Sequence, residues 1–126
     1  MKYLIDTHIL LWNMENHPRL SNKARKILED TSNEIFISHA SLWELAIKKS
    51  IGKIQLVLPF SQLEQQLINR GFQFLPFTSE AYQALMELPF HHRDPFDRMM
   101  IAQAKVHGYT LITADETFHS YDVNLL

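Results

Sequence analysis

Two carboxylates three residues apart open the stretch HHRDPFDRMMIAQA, residues 91–104. Asp94 before Pro95 is a natural helix opening, because the Asp side chain caps free N–H groups and Pro at the first helical position loses nothing. Asp97 suits the positive end of the same helix, yet its place on the wheel asks for more. At about 100° per residue, Ile101 and Ala104 lie within roughly 40° of Asp97, with Met100 about 60° away. Asp97 therefore heads the apolar stripe that packs against the rest of the protein. A carboxylate there is costly unless something pairs with it.

Three further acids raise the same question. Asp6 follows the apolar run Tyr3-Leu4-Ile5, and Asp115 follows Tyr109–Ile112 in LITADE. In SHASLWELAIKKSIGKI, Ala40, Ile47 and Ile51 cluster within about 40°, and Glu44 lies about 20° beyond Ile51 at the border of that apolar face. Each acid has a local alternative. Asp6 and Asp94 can cap helices, Asp97 can complement a dipole, Asp115 can be a turn residue, and Glu44 can form an exposed i,i+4 pair with Lys48. Joint placement favours a shared cleft. Carboxylates gathered in one cleft repel one another and demand counter-charge, which no lysine of these motifs is expected to supply. Oxygen-only donors select hard cations, Mg²⁺ or Mn²⁺. One or two such ions can lower the pKa of a bound water, orient a phosphodiester and stabilise the leaving oxygen. That is phosphodiester hydrolysis without a protein nucleophile.

The elements that must position these acids are legible. Four β-prone runs stand at Tyr3–Ile5, Ile35–Ile37, Phe72–Leu75 and Tyr109–Ile112, with a weaker fifth at Asp122–Leu125. Helical patterns fall between them at roughly 8–15, 21–30, 39–51, 61–70, 79–87 and 95–107. Ser21, Ser38 and Ser61 are candidate N-caps, and Gly71 and Gly108 stop helices before strands. Apolar strands alternating with helices predict an α/β fold: one three-layer α/β/α domain over residues 1–126, with a mainly parallel sheet of four to five strands. In such sheets ligands sit outside the carboxyl ends of the strands. Asp6 and Asp115 leave strands on that edge, and Glu44 and Asp97 lie in the opening turns of helices.

The stretches LIDTHILLW, SLWELAIKKSIGKI, RDPFDRMMIAQA and LITADETF, with the acids in the order Asp6, Glu44, Asp97, Asp115, resemble the PIN-domain nucleases. Among these they look like the VapC-type toxins of bacterial toxin–antitoxin pairs. Any one motif would be weak; four in order, from residue 3 to about 118, are specific. The resemblance implies a PIN-like fold and a metal-dependent endoribonuclease, dimeric and held inactive by a cognate antitoxin. It makes Asp6, Glu44, Asp97 and Asp115 the catalytic, metal-binding acids, with Thr113 steadying a ligand or water. Asp94 is extra to this core, as a cap, an outer support or an auxiliary ligand. Arg93 and Arg98 flank the acids, placed to touch RNA phosphate, to bridge Asp94 or to neutralise the cleft.

Composition bounds the alternatives. The chain has 126 residues, 46% hydrophobic and 21% charged, with net charge −2 and no cysteine. Thiolate metal sites and disulfides are excluded, and a reducing cytoplasm suits such a chain. The opening MKYLIDTHILLW reads neither as a signal peptide nor as a membrane span. No basic field advertises nucleic acid, which leaves room for an enzyme that meets phosphates through bound cations. Seven histidines show no HExxH-type pairing for zinc. A phosphoacceptor receiver would need an early acidic pair, and a DxD phosphatase an Asp where His8 stands. A DNA or structure-specific nuclease with the same acids, and a non-catalytic protein-interaction module, remain the rival readings.

Overall fold

The computed structural model describes residues 1–126. Its sheet contains β1 (Lys2–Ile5), β2 (Glu34–Ser38), β3 (Gln73–Leu75) and β4 (Thr110–Ile112), all parallel in the order β3-β2-β1-β4. Six helices connect them: α1 (Thr7–Glu15), α2 (Asn22–Glu29), α3 (His39–Ser50), α4 (Phe60–Asn69), α5 (Ser79–Glu87) and α6 (Pro95–His107). A short 3-10 helix, Glu116–Ser120, follows β4. No helix is long and apolar enough to cross a membrane.

Alternation along the strands builds two cores. Leu4, Phe36 and Leu111 face one side, against Ala81 of α5 and Met99, Met100 and Ile101 of α6. Tyr3, Ile5, Ile35, Ile37 and Ile112 face the other, against Ile9, Ala24, Leu45, Leu63 and Leu67 of α1 to α4. A sheet covered on both faces needs strands that are apolar throughout, which is how these read. The expected three-layer α/β/α architecture is present with four strands.

Two local expectations differ. The fifth run contributes one bridge, Leu111 to Leu125, instead of a strand. Leu111 N–H donates to Asn124 O and Leu126 N–H to Leu111 O, but three-residue β4 offers no longer ladder. Ser21 and Ser38 cap α2 and α3 as expected. Ser61 does not cap α4, which begins at Phe60 after Pro59, so Ser61 already lies inside the first turn.

A candidate metal centre at the carboxyl edge of the sheet

Asp6 leaves β1 and immediately caps α1: its Oδ1 accepts from Ile9 N–H at 2.8 Å. Its Oδ2 accepts from the Thr113 hydroxyl, so the residue after β1 is tied to the one after β4. Burial pushes the Asp6 carboxyl above its ordinary value, and the Thr113 and Ile9 bonds offset part of that rise. Thr113 Oγ1 also accepts from Asp115 N–H at 3.0 Å.

Glu44, in the second turn of α3, is buried with only 6% of its surface exposed. Both oxygens are engaged. Oε1 accepts from the Thr7 hydroxyl at 2.7 Å and Oε2 pairs with Lys48 Nζ at 2.8 Å. Ser41, one turn before Glu44, holds its hydroxyl 3.0 Å from that of Thr7. Thr7, the residue next to Asp6, thereby ties that strand end to Glu44.

Asp94 acts as the cap that its place before Pro95 suggests, accepting from Phe96 and Asp97 N–H at 2.9 and 3.0 Å. Asp97 then heads the buried stripe of α6. Its carboxyl is pushed up to about 8, first by burial and then by the negative charges of Asp94, Glu44, Asp6 and Asp115. The imidazole of His92 lies against it, with Nε2 3.3 Å from Oδ2. The other His92 ring nitrogen, Nδ1, lies 2.8 Å from the Tyr121 hydroxyl. Asp115 is exposed and caps the 3-10 helix. The Thr117 N–H bond at 2.9 Å holds its carboxyl below the usual range.

The four acids therefore share one electrostatic neighbourhood, although they come from the ends of β1 and β4 and the openings of α3 and α6. No three His, Asp or Glu side chains close into a ready-made cage, so water would complete the shell of an ion held here, as Mg²⁺ ordinarily prefers. The donor set fits such an ion. It is all carboxyl oxygen, and burial first, then the charges of the neighbouring acids, raise the Asp97 carboxyl in the absence of a cation.

Two expectations need correction. Arg98 is not a phosphate contact: it is buried, and its guanidinium donates to Pro89 O at 2.7 Å, Leu88 O at 3.3 Å and the Tyr121 hydroxyl at 3.2 Å. It satisfies carbonyls that the end of α5 leaves open. The acids also do not lack a lysine, because Lys48 supplies counter-charge to Glu44. That pair forms, but around a buried acid. Arg93 is exposed and makes no ion pair. Thr7, His92 and Tyr121 escaped the sequence reading as site residues. Adjacency to Asp6 and to the RDPFD stretch could have flagged the first two; nothing local marks Tyr121.

A PIN domain model matches residues 3–124. Ribonuclease VapC22 of Mycobacterium tuberculosis is 30% identical over 119 residues, covering 94% of this chain and 90% of that protein. Among solved structures, VapBC2 from Rickettsia felis bound to a promoter DNA fragment superposes with a TM-score of 0.72 at 20% identity, over 100% of this chain and 98% of that one. A toxin-antitoxin complex from Klebsiella pneumoniae gives 0.61 at 20% identity, over 92% and 89%. The structural likenesses carry the fold, and the family model together with the sequence match across nearly the whole chain establishes that this protein belongs to the PIN-domain family.

Proposed function

We propose that this chain is a Mg²⁺- or Mn²⁺-dependent endoribonuclease and the toxin of a toxin–antitoxin pair. The observation that carries the reading is the gathering of four acids at the carboxyl edge of the sheet, where Thr113 after β4 holds Asp6, Thr7 after β1 holds Glu44, and Asp97 opens α6. Asp6, Glu44, Asp97 and Asp115 would hold the ion or ions. A bound divalent cation supplies Lewis acidity toward water and charge neutralisation toward a phosphodiester. The chain's own part is orientation. Thr113 holds Asp6, Thr7 and Lys48 hold Glu44, and His92 lies against Asp97. Exposed Arg93 is a candidate phosphate contact at the rim.

RNA as substrate is supported by the ribonuclease relative, and an antitoxin partner by the toxin-antitoxin complexes that share the fold. Trp43 and Ile47 of α3, with Ile51 just beyond its end, are exposed at four-residue spacing, so this part of the face that the sequence marks as apolar is open to a partner instead of buried in the core. An antitoxin segment would lay apolar side chains on such a stripe. A homodimer and a cytoplasmic location complete the proposal; the cysteine-free chain accords with a reducing compartment.

Purified protein free of antitoxin should cleave RNA internally with Mg²⁺ or Mn²⁺ and stop on adding EDTA. Attack of water on phosphorus with departure of the 3′-oxygen leaves 5′-phosphate and 3′-hydroxyl ends. Cyclic phosphate products would report attack by the RNA 2′-hydroxyl and overturn the mechanism, and a preference for DNA would overturn the substrate. Growth arrest on expressing the chain alone, relieved by the protein encoded beside it, tests the pairing.

A further inference from the structure

Beside the acids lies a cleft of about 220 Å³, lined by Asp6, His8, Trp12, Arg19, Ala114 and Asp115. Its organic wall is aromatic. His8 and Trp12 stand one turn apart on α1 with ring centroids 6.1 Å apart, and His17 stacks on Trp12 at 5.8 Å with only 22° between the planes. Arg19 N–H donates to His17 Nδ1 at 3.0 Å, which fixes that imidazole and the start of the Arg19 side chain together.

Arg19 differs from most arginines of the molecule. Arg98 is buried on carbonyls, Arg25 is bonded to Asn16, and Arg70 is bonded to Asn13. The Arg19 guanidinium makes no ion pair or side-chain hydrogen bond, although two acids line the same cleft. An uncommitted guanidinium beside a half-buried indole is the pairing that unpaired nucleic acid uses: a base stacks on the ring, and its phosphate meets the cation. A chain of net charge −2 has no broad basic field to hold a polyanion, so its affinity must come from a few such placed contacts.

We infer that Trp12 and Arg19 form a nucleotide subsite flanking the scissile position, taking one unpaired base against the indole and its phosphate at the guanidinium. The inference rests on the ribonuclease reading and adds which residues grip the strand and by what chemistry. It also replaces Arg98 with Arg19 as the phosphate contact.

The test uses short fluorescein-labelled unpaired RNAs bound to the Asp97→Asn protein in EDTA, which prevents cleavage, with each nucleotide replaced in turn by an abasic residue. One abasic position should weaken binding roughly tenfold. That loss should vanish in the Trp12→Leu background and persist in Trp12→Phe, which keeps a stacking ring. Arg19→Gln should flatten the dependence of log Kd on log salt by about one unit. Thermal melts of each variant identify any that fail to fold, and Trp12→Phe then carries the comparison with the parent. A flat abasic scan, or the same scan with and without Trp12, overturns the subsite while wild-type RNA cleavage leaves the activity intact. If the wild-type chain cleaves no RNA with Mn²⁺ and the Asp97→Asn protein binds none, the ribonuclease reading falls and takes the subsite with it.

Discussion

The Tyr121 hydroxyl donates to His92 Nδ1 across 2.8 Å, and this contact sets which imidazole nitrogen faces Asp97. Counting protons fixes the direction. The hydroxyl accepts from His92 N–H and from Arg98 Nη1, each at 3.2 Å, and neither donor can accept in return. Its single proton is left for Nδ1. His92 then carries its own proton on Nε2, toward Oδ2 of the Asp97 carboxyl. A buried guanidinium, a phenol, an imidazole and a carboxyl group form one oriented chain.

Tyr121→Phe should break that chain. It leaves the His92 N–H and Nδ1 without their partner in a partly buried setting, at a cost of about 1–3 kcal/mol in urea unfolding. Nitrogen NMR of the imidazole should show the Nε2–H tautomer in the wild type and a mixture in the variant. An unchanged tautomer with a loss below about 0.5 kcal/mol would contradict the assigned polarity.

Arg98→Lys separates structure from substrate contact. An ammonium keeps the charge but cannot reproduce the guanidinium fork to Pro89, Leu88 and Tyr121. The protein should lose about 1.5–3 kcal/mol of stability. The salt dependence of RNA binding should stay as in the wild type; a shallower slope would return Arg98 to the phosphate.

Asp97→Asn reads the cleft by its pH profile. The folded-state carboxyl is raised to about 8 against an ordinary 3.8, so the native state holds a proton that the unfolded chain has released. This favours the native state fully below about pH 4 and is lost as pH climbs through 8. Asp94, Glu44, Asp6, Asp115 and His92 face this carboxyl in both proteins, so the difference between the two isolates Asp97. In EDTA, Asp97→Asn should match the wild type near pH 4 and become relatively more stable toward pH 8. Mn²⁺ at a hundredfold excess over its Kd should add about 2.7 kcal/mol to the wild type, and the variant should lose most of that gain. A variant less stable at pH 8 in EDTA but normally stabilised by Mn²⁺ would reduce Asp97 to a helix-dipole partner.

Lys48→Met should act oppositely on the two states of the cleft. Without metal it strands a buried Glu44 and lowers the melting temperature. With Mn²⁺ it removes a competing cation, so the metal should bind more tightly and close the deficit. Weaker Mn²⁺ binding in a titration followed by calorimetry would mean that Lys48 supports the site instead of competing for it.

The helices and strands were legible because their signals are local. Apolar runs of strand length alternate with helical periodicity, Gly108 ends α6 with φ 71°, and Asp94-Pro95 opens it. The cleft was legible for a related reason: Asp6 and Asp115 each follow a strand, so a parallel sheet brings them to one edge. The supports of the acids were not legible. Thr7 reaches Glu44 across 37 positions and Tyr121 reaches His92 across 29, distances over which no periodicity speaks. Arg98 sits in the first turns of α6, where a charge usually means solvent. Its burial follows from open carbonyls of α5, visible only once the two helices pack.

Strand order has a consequence for how the protein comes into being. β1 pairs with β2 on one side and β4 on the other, and Asp6 meets Thr113 across 107 positions. A ribosome delivers residues in sequence, so Asp6 waits through synthesis of nearly the whole chain for the segment that completes its surroundings. Contacts of such separation form late, and no fragment ending before Thr113 can contain this one. Whatever the cleft does, an unfinished chain cannot do it. Only molecules in which the β4 segment has joined the sheet bring the four acids to one edge.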